Sequence, residues 1–169
     1  MRKFSSFTLV AIVLFFGACK RKEVEVSSVA RAQAAHLASE AQLQTKLRDY
    51  AQAEKSLAKA VELDPEVAVY WSGLGMNRAL LGDKSGAKKA YKRELEICEN
   101  AAKKDAKNVD LQLAQLRPLV FLGRADEARK LLEKIGRENP SNPGLQQLIA
   151  TKPIDQILAN PAIQGAILK

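Results

Sequence analysis

The side chains that most often carry chemistry are scarce in this chain, which has two cysteines and one histidine in 169 residues. Cys98 follows Tyr91 and Leu95 on the apolar stripe of a helical pattern. It reads as a small core residue rather than a reactive or intermolecular thiol. His36 has no companion ligands and reads as an ordinary polar residue. With one histidine and a buried-looking Cys98, nucleophilic catalysis lacks a base. There is no HExxH, no GxSxG, and no GxxxxGK followed by Ser or Thr. Carboxylates are plentiful, but none stands out from the charges of helix surfaces. Neither enzymatic activity nor a metal site is expected. That leaves Cys19, which is set apart by what precedes it.

Arg2 and Lys3 form a charged start, and Phe4 to Ala18 carries no charge. The apolar core, Phe7 to Phe16, is ten residues long, where a membrane-spanning helix needs about 20. Residues 1–18 therefore read as a secretory signal and not as part of the fold. The segment ends Phe16-Gly17-Ala18-Cys19, which resembles a bacterial lipobox with Phe in place of the usual Leu. The resemblance implies a diacylglycerol on the Cys19 thiol, cleavage before it and acylation of the new amino group. Several acyl chains give stable anchoring where one is marginal. By the same resemblance, Lys20 rather than an aspartate after the cysteine favours the outer membrane over the inner. Residues 19–28 are a tether, in which Lys20-Arg21-Lys22 either rests on anionic head groups or is simply solvated. Loss of residues 1–18 would lower the formal charge from +8 to +6, a weak bias toward anionic partners.

The rest of the chain must be helical. Ala, Leu, Lys, Glu and Gln dominate, and no run of alternating β-branched residues occurs. The organising stretch is Ala68 to Glu99. Apolar spacings of three and four run from Glu66 to Leu81, with Asp64-Pro65 as the expected start. Gly82-Asp83 breaks the pattern. A second apolar face then carries Ala87, Ala90, Tyr91, Leu95 and Cys98. This hairpin resembles the tetratricopeptide repeat (TPR), patterned W-x2-L-G-x2-Y, then A-x3-F, then P. Trp71, Leu74, Gly75, Ala87 and Tyr91 fill it; Arg78 stands in place of Tyr, and Glu99 in place of Pro. The pattern recurs. Ala53 precedes Ala87 by 34 residues, the repeat period, and Ala128 follows it by 41. The surplus predicts a lengthened second helix, since nothing at Glu99 stops it.

The resemblance implies an all-α fold, a short α-solenoid of about three TPR hairpins plus C-terminal capping helices. The repeats run about 34–67, 68–108 and 109–142 within a domain over 29–150. Ser27 and Ser28 can cap the first helix, Val29 to Leu47, and Asp49 the second, Ala51 to Leu63. Val109 to Leu122 reads as the first helix of the third repeat, with Leu116 replacing a small residue and a kink expected at Pro118. Arg124 to Arg137 is its partner. Leu145 to Ala150, Ile154 to Ala159 and a last helix from Asn160-Pro161 through Leu168 read as a cover for the terminal repeat. A partner-binding tail over 151–169 is the other reading of that end.

In TPR proteins the first helices of successive repeats line a concave groove. By register these positions are Ala35, Ala38, Gln42 and Thr45, then Val69, Ser72, Met76 and Ala79, then Asp110, Leu113, Arg117 and Val120. The mostly apolar lining suits an apolar peptide or helix, or else the groove is filled by the protein's own Val29–Leu47 helix or C-terminal tail. Asp110 argues against a carboxylate ligand. Lys88, Lys89, Lys92 and Arg93 cluster, as a solvated face or a dock for an acidic surface, and Lys92 is placed to pair with Glu96. No interleaved aromatics suit nucleic acid. The expectation is a lipid-anchored interaction scaffold of the bacterial cell envelope, with a protein or peptide partner and no cofactor beyond the lipid. A pilotin-like or outer-membrane biogenesis factor with one client is the alternative, and a cell-wall hydrolase the third.

Overall fold

A computed structural model of the chain describes residues 25–168. The signal segment, Cys19 and Lys20-Arg21-Lys22 lie outside the described residues. Within those residues the secondary structure is helical throughout, without a strand. No helix among them is long and apolar enough to cross a membrane.

The first two hairpins are α1 (Ser28–Lys46) with α2 (Tyr50–Leu63), and α3 (Ala68–Leu80) with α4 (Lys84–Lys104). Three of these helices begin on side-chain caps. Ser27, Asp49 and Asp83 accept from the backbone N–H of Ala30, Gln52 and Gly86, satisfying donors that a helix start leaves unpaired. The turn after α3 needs left-handed backbone, and Gly82 supplies it at φ 87°. Asp64-Pro65 does not start α3, as the sequence suggested. Pro65 holds Asp64 extended, so Asp64 closes α2, and α3 begins only at Ala68. The Trp71 indole N–H donates to the Pro65 carbonyl at 2.8 Å, fastening that turn to α3.

The small residues meet where the repeat register puts them. Ala53, Ala87 and Ala128 are all 0% exposed, each inside its own helix pair. Gly75 faces Tyr91 so closely that a Cβ would sit 2.6 Å from the ring's Cδ1. Arg78, the departure from the repeat pattern, donates through Nε to Glu54 at 2.9 Å and so ties α3 back to α2. Glu99 is the other departure, and α4 runs through it to Lys104. At 21 residues α4 is half as long again as α2 or α7, each 14. The lengthening expected from the 41-residue spacing is therefore present.

The third hairpin is less regular. Its first helix is two pieces, α5 (Val109–Leu113) and α6 (Leu116–Phe121), facing α7 (Ala125–Glu138). A kinked single helix was expected; the chain instead breaks at Ala114-Gln115, one turn before Pro118. Pro118 then occupies the third position of α6, where a backbone N–H has no helical acceptor. Two short helices close the stack, α8 (Pro143–Ala150) and α9 (Pro153–Ala159). Ile154 of α9 is buried with Leu95, Leu116, Leu119, Val120, Ala128 and Leu132, covering the last repeat. The expected final helix to Leu168 is only a 3-10 turn, Gln164–Ala166. Tertiary bonds decide this: Leu168 N–H donates to the Phe121 carbonyl, and Tyr91 to that of Ala166.

Substituting Gly75→Ala should destabilise the chain by about 1–3 kcal/mol in denaturant melts, because the buried Tyr91 ring has nowhere to retreat. Gly144→Ala, whose new methyl would meet only Asn142 Oδ1 at 3.6 Å, should be neutral or stabilising by up to about 1 kcal/mol.

Candidate binding groove

The inner faces of α1, α3 and α6 enclose one cavity of about 640 Å³. Its walls are apolar for the most part: Ala35, Ala38, Val69, Tyr70, Met76 and Phe121, with Leu57 behind them. Gln42, Thr45, Ser72 and Asn77 add hydroxyl and amide groups, Lys46 and Arg117 are the charged lining residues, and no carboxylate lines it. The α1 positions read from register, Ala35, Ala38, Gln42 and Thr45, therefore meet Val69, Ser72, Met76 and Arg117 around one space.

Ala79, Leu113 and Val120 do not reach it. Across the break Ala114 and Gln115 keep right-handed helical backbone, and of the third-repeat positions read from register only Arg117 lines the cavity. Arg117 and Phe121, four apart, face the cavity, and Val120 turns into the core with Ala128 at 0% exposure. Leu113 packs against that same core. Ala79 is buried instead with Ala87, Tyr91, Phe121 and Ala166, beneath the end of the chain. Asp110 is exposed and outside the lining.

Polar side chains fix the position of α3. Asn77 is completely buried. Its Nδ2 donates to the Gly73 carbonyl at 2.9 Å, and its Oδ1 accepts from Thr45 Oγ1 at 3.1 Å. The same Thr45 hydroxyl lies 2.8 Å from the Ala41 carbonyl, so its one proton is shared between an α1 and an α3 acceptor and joins the two walls. Behind Arg117 lies Glu94, at 0% exposure. Its Oε1 accepts from Arg117 Nε at 3.0 Å and Nη2 at 2.8 Å, while Oε2 finds no partner. Burial pushes the Glu94 carboxyl above its ordinary pKa, and Arg117 with the nearby Ser72 hydroxyl partly opposes this. Arg117 is half exposed, so a residue that neutralises the core also presents its guanidinium to the groove. Burial likewise raises the Cys98 thiol, which is buried as expected.

Glu94 escaped the sequence reading, which treated carboxylates as surface charge. The signal was present: Glu94 is seven residues after Ala87, three after Tyr91 and four before Cys98, on the apolar stripe itself. Phe121 escaped because the register runs from Arg117 by a step of three, to Val120, where the inner face continues by a step of four. The charged face of α4 also differs in detail, since Arg93 rather than Lys92 takes Glu96, at 2.9 Å, and it reaches Glu66 as well. His36 lies exposed, 3.7 Å from Glu40. Among the described residues, no three His, Cys, Asp or Glu side chains are placed to hold a metal ion.

Two family models described as tetratricopeptide repeat match the chain, one over residues 37–67 and one over 87–151. No curated protein sequence matches it. Among solved structures, one similar chain is the first TPR of Spaghetti (RPAP3) bound to the HSP90 peptide SRMEEVD. It is 18% identical, with a TM-score of 0.43, covering 77% of this chain and 96% of that one.

The strained position of Glu94 has a pH signature. A carboxyl whose folded pKa lies above its unfolded 4.5 takes up its proton first in the folded state. Stability from this group is therefore lost as pH rises through the folded pKa, and regained as pH falls toward 4.5. Denaturant melts at stepped pH should show that gain in the wild type and its absence in Glu94→Gln. The exposed Glu127, held below its ordinary value first by its hydrogen bond from Arg124, gives the opposite slope, and only below 4.5.

Proposed function

Since the chain belongs to the tetratricopeptide repeat family, we propose that it is a lipid-anchored interaction scaffold of the bacterial envelope, gripping an apolar peptide or helix in the α1–α3–α6 cavity. The family supports a protein-interaction module. The single observation that carries the groove reading is the 640 Å³ cavity itself, apolar, open and free of carboxylates along its lining. A cavity of that size and character suits a few apolar side chains projecting from one face of a partner helix. Val69, 53% exposed, and Met76 are its natural anchors, and Gln42, Thr45 and Arg117 set the register of what enters.

The groove offers no acid–base pair: Arg117 and Glu94 serve each other, and Lys46 has no carboxylate within the lining. The scaffold holds its partner without turnover and needs no cofactor. The lipobox-like Phe16-Gly17-Ala18-Cys19 supports an acyl anchor on Cys19, facing the periplasm, with the outer membrane as the destination. Cys19 stands nine residues before the start of α1, whose inner face forms one wall of the groove.

A helical peptide selected from a display library on the purified chain should compete for this cavity. Val69→Glu together with Met76→Glu should weaken its binding about tenfold or more, on the order of 1.4 kcal/mol, with the helical circular dichroism unchanged. Undiminished binding would remove the groove assignment. Radiolabelled palmitate fed to expressing cells should enter the wild type and not Cys19→Ala; no label in either would refute the anchor.

A further inference from the structure

The concave face does not end at the open cavity. Downstream of it α3, α4 and α6 form a second cradle, and the chain's own residues 163–168 lie in it. Ala166 is completely buried there with Ala79, Ala87, Tyr91 and Phe121. Ile163, Ile167 and Leu168 pack around the same cluster. Gly165 faces Leu80, leaving 3.2 Å between a hypothetical Cβ and Leu80 Cδ2. Two polar bonds hold the segment: Tyr91 OH donates to the Ala166 carbonyl at 3.0 Å, and Leu168 N–H donates to the Phe121 carbonyl at 2.9 Å. Apart from one 3-10 turn the segment has no regular structure of its own.

This is how a short peptide is held: one main-chain bond to the host backbone, one side-chain bond to its carbonyl, apolar side chains in a shared pocket, and a glycine where space is tight. The occupied cradle adjoins the open cavity, because Phe121 belongs to both and Met76 lines one while packing on the other. We propose that the α3–α4–α6 cradle is a binding site for a short apolar segment with a small residue at its centre, and that this chain fills it in cis with residues 163–168 until a partner segment of the same chemistry displaces them. The proposal deepens the groove reading above and rests on it: displacement adds the cradle to the surface open to a partner. Tyr91 selects for the main chain by offering one donor. Burial, and then the nearby Glu94, hold its phenol well above the ordinary range, so it remains a donor even in alkaline solution.

The test has two arms on the full chain. In the first, hydrogen exchange on the unaltered protein, with no partner present, compares the Leu168 amide with that of Leu95 in α4. The Leu168 amide should exchange on the order of 100-fold faster through a local opening that leaves the helices intact. Equal rates would make the segment part of the core and overturn the proposal. In the second, a fluorescent synthetic peptide with the sequence of residues 160–169 is titrated against the wild type and Ala166→Asp. The buried charge should expel the resident segment, keep the helical signal and raise the peptide's affinity about tenfold or more, because the competitor is gone. Loss of the helical signal, or no gain in affinity, would overturn it. So would a wild-type dimer with protected Leu168 amides, which would assign the cradle to a second copy. Neither arm involves Val69, so the open cavity and the cradle can fail separately.

Discussion

The Tyr91 side chain joins three parts of the chain that are distant in sequence. Its ring lies against the bare backbone of Gly75 in α3. It stacks on Phe121 of α6, with centroids 5.1 Å apart and planes 13° from parallel, a contact worth about 0.5–1.5 kcal/mol beyond the area it buries. Its hydroxyl donates to Ala166 near the end of the chain. The hairpin can close so tightly only because Gly75 has no side chain, and α6 and the final residues can dock only because the ring is held by that closure. The second repeat, the third repeat and the tail are thus positioned by one fully buried phenol.

Charge is arranged around this core with little left to chance. Arg78, Arg93, Arg124 and Arg129 each bind a carboxylate from their own helix or a neighbour. The Arg124 and Arg129 pairs are exposed and add little to stability, while Arg78 with Glu54 and the Arg93 guanidinium are part-buried. The exception is Arg117 with Glu94, where one carboxylate oxygen is satisfied twice and the other not at all. A buried charge left half-paired is costly by itself. The return is positional, because the doubled bond to Oε1 holds a guanidinium at a groove lined mostly by methyl, thioether and aromatic surface.

Features set by local chemistry were legible in the sequence. Alanines at fixed intervals, glycine at a left-handed turn and Asp49 at the start of α2 each act within a few residues, and each stands in its expected place, whereas Asp64, read as the start of α3, closes α2. The long α4 was legible for the same reason, as a missing stop at Glu99 and a surplus of residues. The features that stayed hidden depended on distant partners. Ala79 reads as groove until the tail covers it. Val120 reads as groove until α7 packs Ala128 against it and Phe121 takes the inner face beside Arg117. Residues 160–168 read as a helix because nothing local shows that Tyr91 and Phe121 will take their backbone groups. Glu94 was misread for another reason: its charge was weighed before its place on the apolar stripe.

The length of α4 bears on how the molecule comes apart. Its Ala90 packs into the first hairpin's core, Ala87 and Tyr91 into the middle one, and Leu95 into the last. In a stack whose units touch only their neighbours, each unit can melt on its own schedule. A rod of some 30 Å that contributes to all three clusters removes that freedom, since none of them survives once it frays. The array therefore behaves as one cooperative unit, with α4 as its shared spine.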